Sequence, residues 1–305
     1  MSDTKNILVG VDFSRFSLTA LAQGAHLARR TGAKLHLVHV LDPDVVADLH
    51  EALRIPSESL LADFQKEARE RIVHHMAEGD VRPQDVELRV PVGVPLQEIL
   101  RAARAVAADL LVLGEKGAWE MSAGPGTLAT QCVRKAEPPV LLVREPHRGA
   151  YRRVVACVDG SPTSARALHE AVRFARNDRA HLDVVYVFTP PWQALHYRAP
   201  TPEADPERRA QYREGLEAFL HQFLASQRND LDAVHAVSHL VESVKPWAGI
   251  VGFLRNTGAD LAVLGTRGRT GWKRLLMGTT AERVVRESPC SVLTVKPEGF
   301  AYDAG

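Results

Sequence analysis

The chain has 305 residues, close to the size of two ordinary domains. Its 45% hydrophobic and 25% charged residues are a folded globular mixture, which excludes a disordered or collagen-like chain. Thirty-eight Lys and Arg against 37 Asp and Glu leave a net charge of +1, which speaks against a general nucleic-acid binder. The three cysteines, Cys132, Cys157 and Cys290, are scattered with no CxxC, so neither a disulfide framework nor a cysteine zinc site is expected, and a reducing compartment fits. The N-terminus runs into a strand-like segment with no signal-peptide core, and no apolar run approaches the ~20 residues of a membrane helix. The expectation is a soluble cytoplasmic protein with neither nucleic acid nor membrane as partner.

In chain order, apolar β-branched runs alternate with stretches of helical spacing. The first half is predicted to hold strands at Ile7–Val11, Leu35–Leu41, Val86–Val92, Leu110–Leu113 and Val140–Val143. Helical spacing marks Leu18–Arg30, Glu58–Met76 and Leu96–Ala107 between them. Arg144–Ala150 is polar, carries Pro and Gly, and reads as a linker. The second half repeats the order with strands at Val154–Val158, Leu182–Phe188, Val234–Val241, Leu261–Leu264 and Val292–Val295 and a helix at Glu207–Ser226. Ser161-Pro162 reads as a helix cap followed by proline at the first helical position.

The two halves are copies. Ile7-Leu-Val-Gly-Val-Asp12-Phe-Ser14 matches Val154-Val-Ala-Cys-Val-Asp159-Gly-Ser161, and Ala108-Asp-Leu-Leu-Val-Leu-Gly114 matches Ala259-Asp-Leu-Ala-Val-Leu-Gly265. Pro139-Val-Leu-Leu-Val143 likewise matches Ser291-Val-Leu-Thr-Val295. Apolar strands alternating with helices over short connections imply right-handed crossovers and a parallel sheet covered on both faces. The expected fold class is α/β: two tandem doubly wound, Rossmann-like domains of five parallel strands in the order 3-2-1-4-5. Their boundaries are set at 1–145 and 151–299. The final strands, Val140–Val143 and Val292–Val295, are the edges expected to meet in an intramolecular pseudo-dimer, because bare strand edges need covering.

In such a sheet a ligand sits beyond the carboxyl ends of the strands, where the winding order reverses. The residues there are unusual. Asp159-Gly-Ser161 follows the first strand of the second half, and Gly265-xx-Gly268, nine residues, then Gly278-Thr279-Thr280 follow the fourth. Glycines let backbone amides close on an anion, and a helix opening at Thr279 adds free amides and a positive dipole end. Arg267, Arg269, Lys273 and Arg274 stand between the glycines with no acid among them, a local charge of +4.

This glycine spacing, G-2x-G-9x-G-(S/T), with the Asp after the first strand, resembles the nucleotide-binding signature of the universal stress protein family, whose fold is HUP-type. The resemblance covers both halves, and Val263–Glu298 is similar to tandem members of the E type. It implies ATP, with or without Mg2+, in the second half. Asp159 would hold the adenosine part, the backbone of Val187 would meet adenine, and Gly265, Arg267, Gly268, Gly278, Thr279 and Thr280 would surround the phosphates. The first half keeps Asp12, Val40, Gly114, Gly117, Gly126 and Thr127 as a weaker counterpart. Its second spacing is eight, and its loop carries Glu115, Lys116 and Glu120, a charge of −1. Coulomb terms of a few kcal/mol between close surface charges then favour the second half for a polyphosphate.

Other constellations carry less. His235-xxx-His239 would share one strand face, and without a third ligand it reads as polar residues near a sheet edge rather than a metal site. His74-His75 reads as a solvated helix face. Ser161 has no histidine at motif spacing for a hydrolase triad, and no Walker A sequence is present. The Pro-rich stretch from Thr189 to Pro206 reads as a lid or a packing loop, in which Trp192 and Tyr197 are candidates for stacking on a ligand. Val244 stands where the first half has Gly93. The reading is an ATP-binding regulatory protein of the stress response, with no catalytic residue and no metal ligand assigned and an unidentified protein partner. The alternatives are an interaction module with a vestigial site, or a slow ATPase.

Overall fold

The structure, a computed structural model, describes residues 4–78, 86–117, 124–147, 149–194, 206–227, 231, 234–268 and 277–302. It divides into two compact units, Met1–Gly149 with Ala301–Gly305, and Ala150–Phe300.

In the first unit the strands are β1 Asn6–Gly10, β2 Lys34–Val38, β3 Val86–Arg89, β4 Leu110–Gly114 and β5 Val140–Val143. They pair in parallel in the order β3-β2-β1-β4-β5. Every residue of β4 and β5 is buried, as expected of strands with helices on both faces. The helices are α1 Arg15–Thr31, α2 Pro43–Leu53, α3 Ser57–Glu78, α4 Pro95–Ala105 and α5 Thr127–Lys135. Ser14 caps α1 by accepting from Ser17 N at 3.1 Å, and Gly32 ends it in the left-handed region.

The second unit repeats this with β6 Arg153–Val158, β7 His181–Phe188, β8 Ala236–Glu242, β9 Leu261–Gly265 and β10 Ser291–Val295, paired in parallel as β8-β7-β6-β9-β10. Its helices are α6 Pro162–Asp178, α7 Pro191–Ala194, α8 Pro206–Ser226, α9 Pro246–Thr257 and α10 Thr279–Glu287. Ser161 caps α6 through Ser164 N at 3.1 Å with Pro162 at its first turn, as the sequence predicted. No described helix is long and apolar enough to cross a membrane.

The strand order expected from the sequence holds in both units. The second and third strands differ in length. β3 stops at Arg89, before Pro91, which has no N–H to give a ladder. The chain there continues irregularly, with His39 N donating to Arg89 O, Leu41 N to Pro91 O, and a lone bridge from Leu41 to Val92. In the second unit β8 runs on to Glu242, and Ser243 N donates to Phe188 O at 3.0 Å. Val244 follows without a positive φ, and Thr189 Oγ1 donates to Ser243 O at 2.9 Å beside it. The turn was rearranged where Gly93 was lost.

Candidate nucleotide site

A cavity of about 350 Å³ opens at the carboxyl ends of the strands of the second unit. All eight residues singled out there, Asp159, Val187, Gly265, Arg267, Gly268, Gly278, Thr279 and Thr280, border it. Three elements bring them together. Asp159 follows directly on β6, and its Oδ1 accepts from Ser161 N at 2.9 Å, which fixes the carboxylate at the start of α6. Val187 lies one residue past the point where the β6–β7 ladder stops at Val158 and Tyr186, so this stretch of β7 backbone reaches the cavity edge. Gly278 is the cap of α10, which has no side-chain cap, and Gly278 N donates to Thr266 O at 2.8 Å.

The glycines have separable reasons. A Cβ on Gly268 would come within 2.7 Å of Asp159 Oδ2, so a side chain there would displace the carboxylate from its present position. A Cβ on Gly265 would meet Thr163 at 2.8 Å, which makes Gly265 a packing residue of β9 against α6 as well as a wall of the cavity. At Gly278 the nearest atom would be Thr266 O at 3.6 Å, an ordinary contact. Asp159 is the only acid bordering the cavity among the described residues. Arg269, Lys273 and Arg274 lie outside the described residues, so Arg267 is the cation of the motif that the structure locates.

The corresponding cavity of the first unit is smaller, about 210 Å³. Asp12, Val40, Gly114 and Gly117 border it, but Gly126 and Thr127 do not. Leu128 borders it instead, at the position where the second half has Thr280. An isobutyl group therefore replaces a hydroxyl on the side of the cavity next to the start of the helix. Glu115 stands where the second half has Thr266; it is buried and pairs with Arg144 (Nη1 to Oε2, 3.4 Å). Burial pushes its carboxyl up from the usual range, against the pull of Arg144 and Lys116.

Beside this cavity His39 Nδ1–H donates to Val11 O at 2.7 Å, and burial holds its imidazole below the usual value. Its ring lies 4.6 Å from Phe13, which sits at φ 64°, while the second half has Gly160 at φ 79° at the same position. A bulky residue in the left-handed region costs on the order of 1–3 kcal/mol. The second unit avoids this: Phe219 of α8 fills the space at Gly160 and packs edge-on at 5.6 Å against Tyr186, the counterpart of His39.

Several residues at the site were not singled out in the sequence. Pro246 and Ile250 on α9 form its apolar wall. Their counterparts Pro95 and Ile99 border the first cavity, so the repeat itself carried the signal. Trp192 is not among the lining residues; it packs on α8 against Tyr212 at 5.5 Å, with Arg209 at 5.7 Å from its ring. Tyr197 lies outside the described residues. His239 and His181 place their Nε2 atoms 2.7 and 3.1 Å from Asp183 Oδ1, a polar cluster at the other end of the sheet. Among the described residues no group of His, Cys, Asp or Glu could hold a metal ion. Burial pushes the Cys132 and Cys157 thiols up to about 12, so both are inert core residues.

The model of the universal stress protein family matches residues 3–144 and again 150–296. A universal stress protein of Methanocaldococcus jannaschii is 30% identical over 147 residues, covering 48% of this chain and 82% of that protein. Universal stress protein E of Salmonella typhi is 23% identical over 330 residues, covering 98% of this chain and 96% of that one. The crystal structure of a universal stress protein from Archaeoglobus fulgidus superimposes with a TM-score of 0.65 at 17% identity, covering 97% of this chain and 99% of that chain. With the repeated strand order and the two equivalent cavities, these matches show that the chain belongs to the universal stress protein family, with one copy of the family domain in each half.

Proposed function

We propose that the second half binds an adenine nucleotide, ATP in the first instance, and that the protein acts as a nucleotide-responsive regulator in the stress response rather than as a metabolic enzyme. The observation that carries this is the convergence on one cavity of the Asp159 carboxylate, Gly268 packed against its Oδ2, and the start of α10 with two threonine hydroxyls. The parts suit the parts of a nucleotide. Asp159 accepts from ribose hydroxyls, and the β7 backbone at Val187 meets the edge of the base. Pro246 and Ile250 cover the base on one face. Gly268, Arg267, Thr279, Thr280 and the first amides of α10 take the phosphates. Magnesium, where present, would be held mainly by the phosphates, since the cavity offers it hydroxyls and a single carboxylate. That lone acid is committed at Oδ1 to Ser161 N, which suits holding a ligand more than activating water.

The test is to denature freshly purified full-length protein, identify any released nucleotide by chromatography, and then titrate the stripped protein with ATP and magnesium. One adenine nucleotide per chain is expected, with hydrolysis no faster than a slow background. No released nucleotide and no binding on titration would overturn the reading and leave the interaction module. Two per chain would overturn the assignment to the second half.

A further inference from the structure

The ladder between the first two strands stops one rung earlier in the first unit than in the second, at Gly10 and Val38 rather than at Val158 and Tyr186. Beyond it the chain still alternates as a parallel strand does. His39 N donates to Arg89 O and Leu41 N to Pro91 O, so the polar groups of these two residues face the side of β3. Val40 between them faces the other way, toward β1. There Val11 N donates to Val38 O at 2.9 Å, and His39 Nδ1 takes the Val11 carbonyl that Val40 N–H would meet if the ladder continued. Among the described residues the N–H and C=O of Val40 therefore have no hydrogen-bond partner, and Val40 borders the first cavity. One residue presents a donor and an acceptor, side by side, at the cavity edge.

The rest of the cavity says what can meet that pair. Asp12 borders it, with Oδ1 accepting from Ser14 N at 3.0 Å as Asp159 Oδ1 does from Ser161 N. Pro95 and Ile99 give it the apolar wall that Pro246 and Ile250 give the second. What the second cavity has around Gly278, Thr279 and Thr280 is absent here: Leu128 borders the first cavity and Gly126 and Thr127 do not. Lys116 is the one Lys or Arg bordering it among the described residues, and the neighbouring Glu115 carboxylate is buried beside it. At about 210 against about 350 Å³, the first cavity has three-fifths of the volume of the second. Such a pocket encloses most of its ligand, and a nucleoside has about three-fifths of the non-hydrogen atoms of its triphosphate.

We propose that the first cavity binds a nucleoside without phosphates, of the adenosine class, while the second holds ATP. The inference rests on the nucleotide reading of the second half. Val40 N–H donates to a ring nitrogen of the base, and the exocyclic amine next to that nitrogen donates to Val40 C=O. Pro95 and Ile99 cover the base, and the Asp12 carboxylate accepts from a ribose hydroxyl. A phosphate on the sugar would lose its water against Leu128 and gain no hydroxyl or helix amide in return, which is what restricts the site to the uncharged nucleoside.

The experiment strips the full-length protein, saturates it with ATP and magnesium, and titrates adenosine into it by calorimetry. The wild type is expected to bind one adenosine per chain on top of its ATP, and AMP at least about tenfold more weakly. Asp12→Ala should lose about tenfold or more in adenosine affinity while still taking up one ATP. If that variant fails to fold, Gly117→Leu, which adds bulk at the cavity edge from an irregular loop, carries the test. No adenosine binding by protein that does bind ATP would overturn this proposal and leave the nucleotide reading standing. So would an adenosine affinity unchanged in both variants, or AMP bound as tightly as adenosine. Failure of the stripped protein to bind ATP would overturn the nucleotide reading, and this proposal with it.

Discussion

The two cavities have the same walls and different floors. Each lies between the first and fourth strands, with an Asp at the end of the first strand, a Pro and an Ile from the helix after the third, and two glycines after the fourth. They part at the loop after the fourth strand and the start of the helix that follows it. The second has Thr266, Thr280 and Arg267 around about 350 Å³, whereas the first has Leu128 and Lys116 around about 210 Å³, with Glu115 in the place of Thr266 but not lining it. The difference teaches that a duplicated scaffold preserves the pocket because the pocket is where the sheet's winding reverses, while the chemistry within it rests on a few side chains that change without disturbing the strands.

The sharpest way to break the comparison is to remove its shared element. Asp159→Ala should weaken ATP binding by about 10- to 100-fold, the range expected for losing charge-assisted hydrogen bonds to a ligand. Asp12→Ala should leave the nucleotide content of the protein unchanged. Equal losses from both, read by titration of each variant, would show that the halves are equivalent.

A smaller effect tests the floors. Exchanging Thr266→Glu and Thr280→Leu writes the first half's residues into the second and should cost about tenfold or more in ATP affinity with the fold retained. The reciprocal Glu115→Thr with Leu128→Thr should enlarge the first cavity toward the second, with weak ATP binding as the expected outcome. Two-site stoichiometry in that variant is the sign to look for.

The smallest expected effect is on stability. Because the folded-state value of Lys296 lies below its ordinary one, the folded state binds fewer protons than the unfolded state between about pH 7 and the ordinary lysine range. Stability of the nucleotide-free protein should therefore rise with pH across that window. Lys296→Met should flatten the rise and add on the order of 1–3 kcal/mol near pH 7, where burying the ammonium costs most. Denaturant unfolding at pH 7 and 9 reads both.

Much of this was legible in the sequence. The apolar strands, the Ser161-Pro162 helix start and the 3-2-1-4-5 order followed from periodicity and the handedness of crossovers, which are local or nearly so. The eight residues singled out in the second half border one cavity; the glycines and the Asp stand in contiguous motifs, and Val187 followed from the family resemblance. In the first half Gly126 and Thr127 match the motif yet do not border the cavity, since Leu128 takes the place there that Thr280 holds in the second half. A side chain's bulk at one helix position is not visible in a spacing rule.

The sequence by itself determined the duplication, the α/β class and the strand order, because each rests on a pattern repeated along the chain. Only the tertiary structure decided which glycine serves the carboxylate and which the packing, that Phe219 fills at Gly160 the space for which Phe13 adopts a left-handed backbone, and that Lys296 shares a ring with Arg267. These depend on atoms from segments far apart in the chain meeting within a few ångströms, where burial and charge act through space and leave no periodic trace in the sequence.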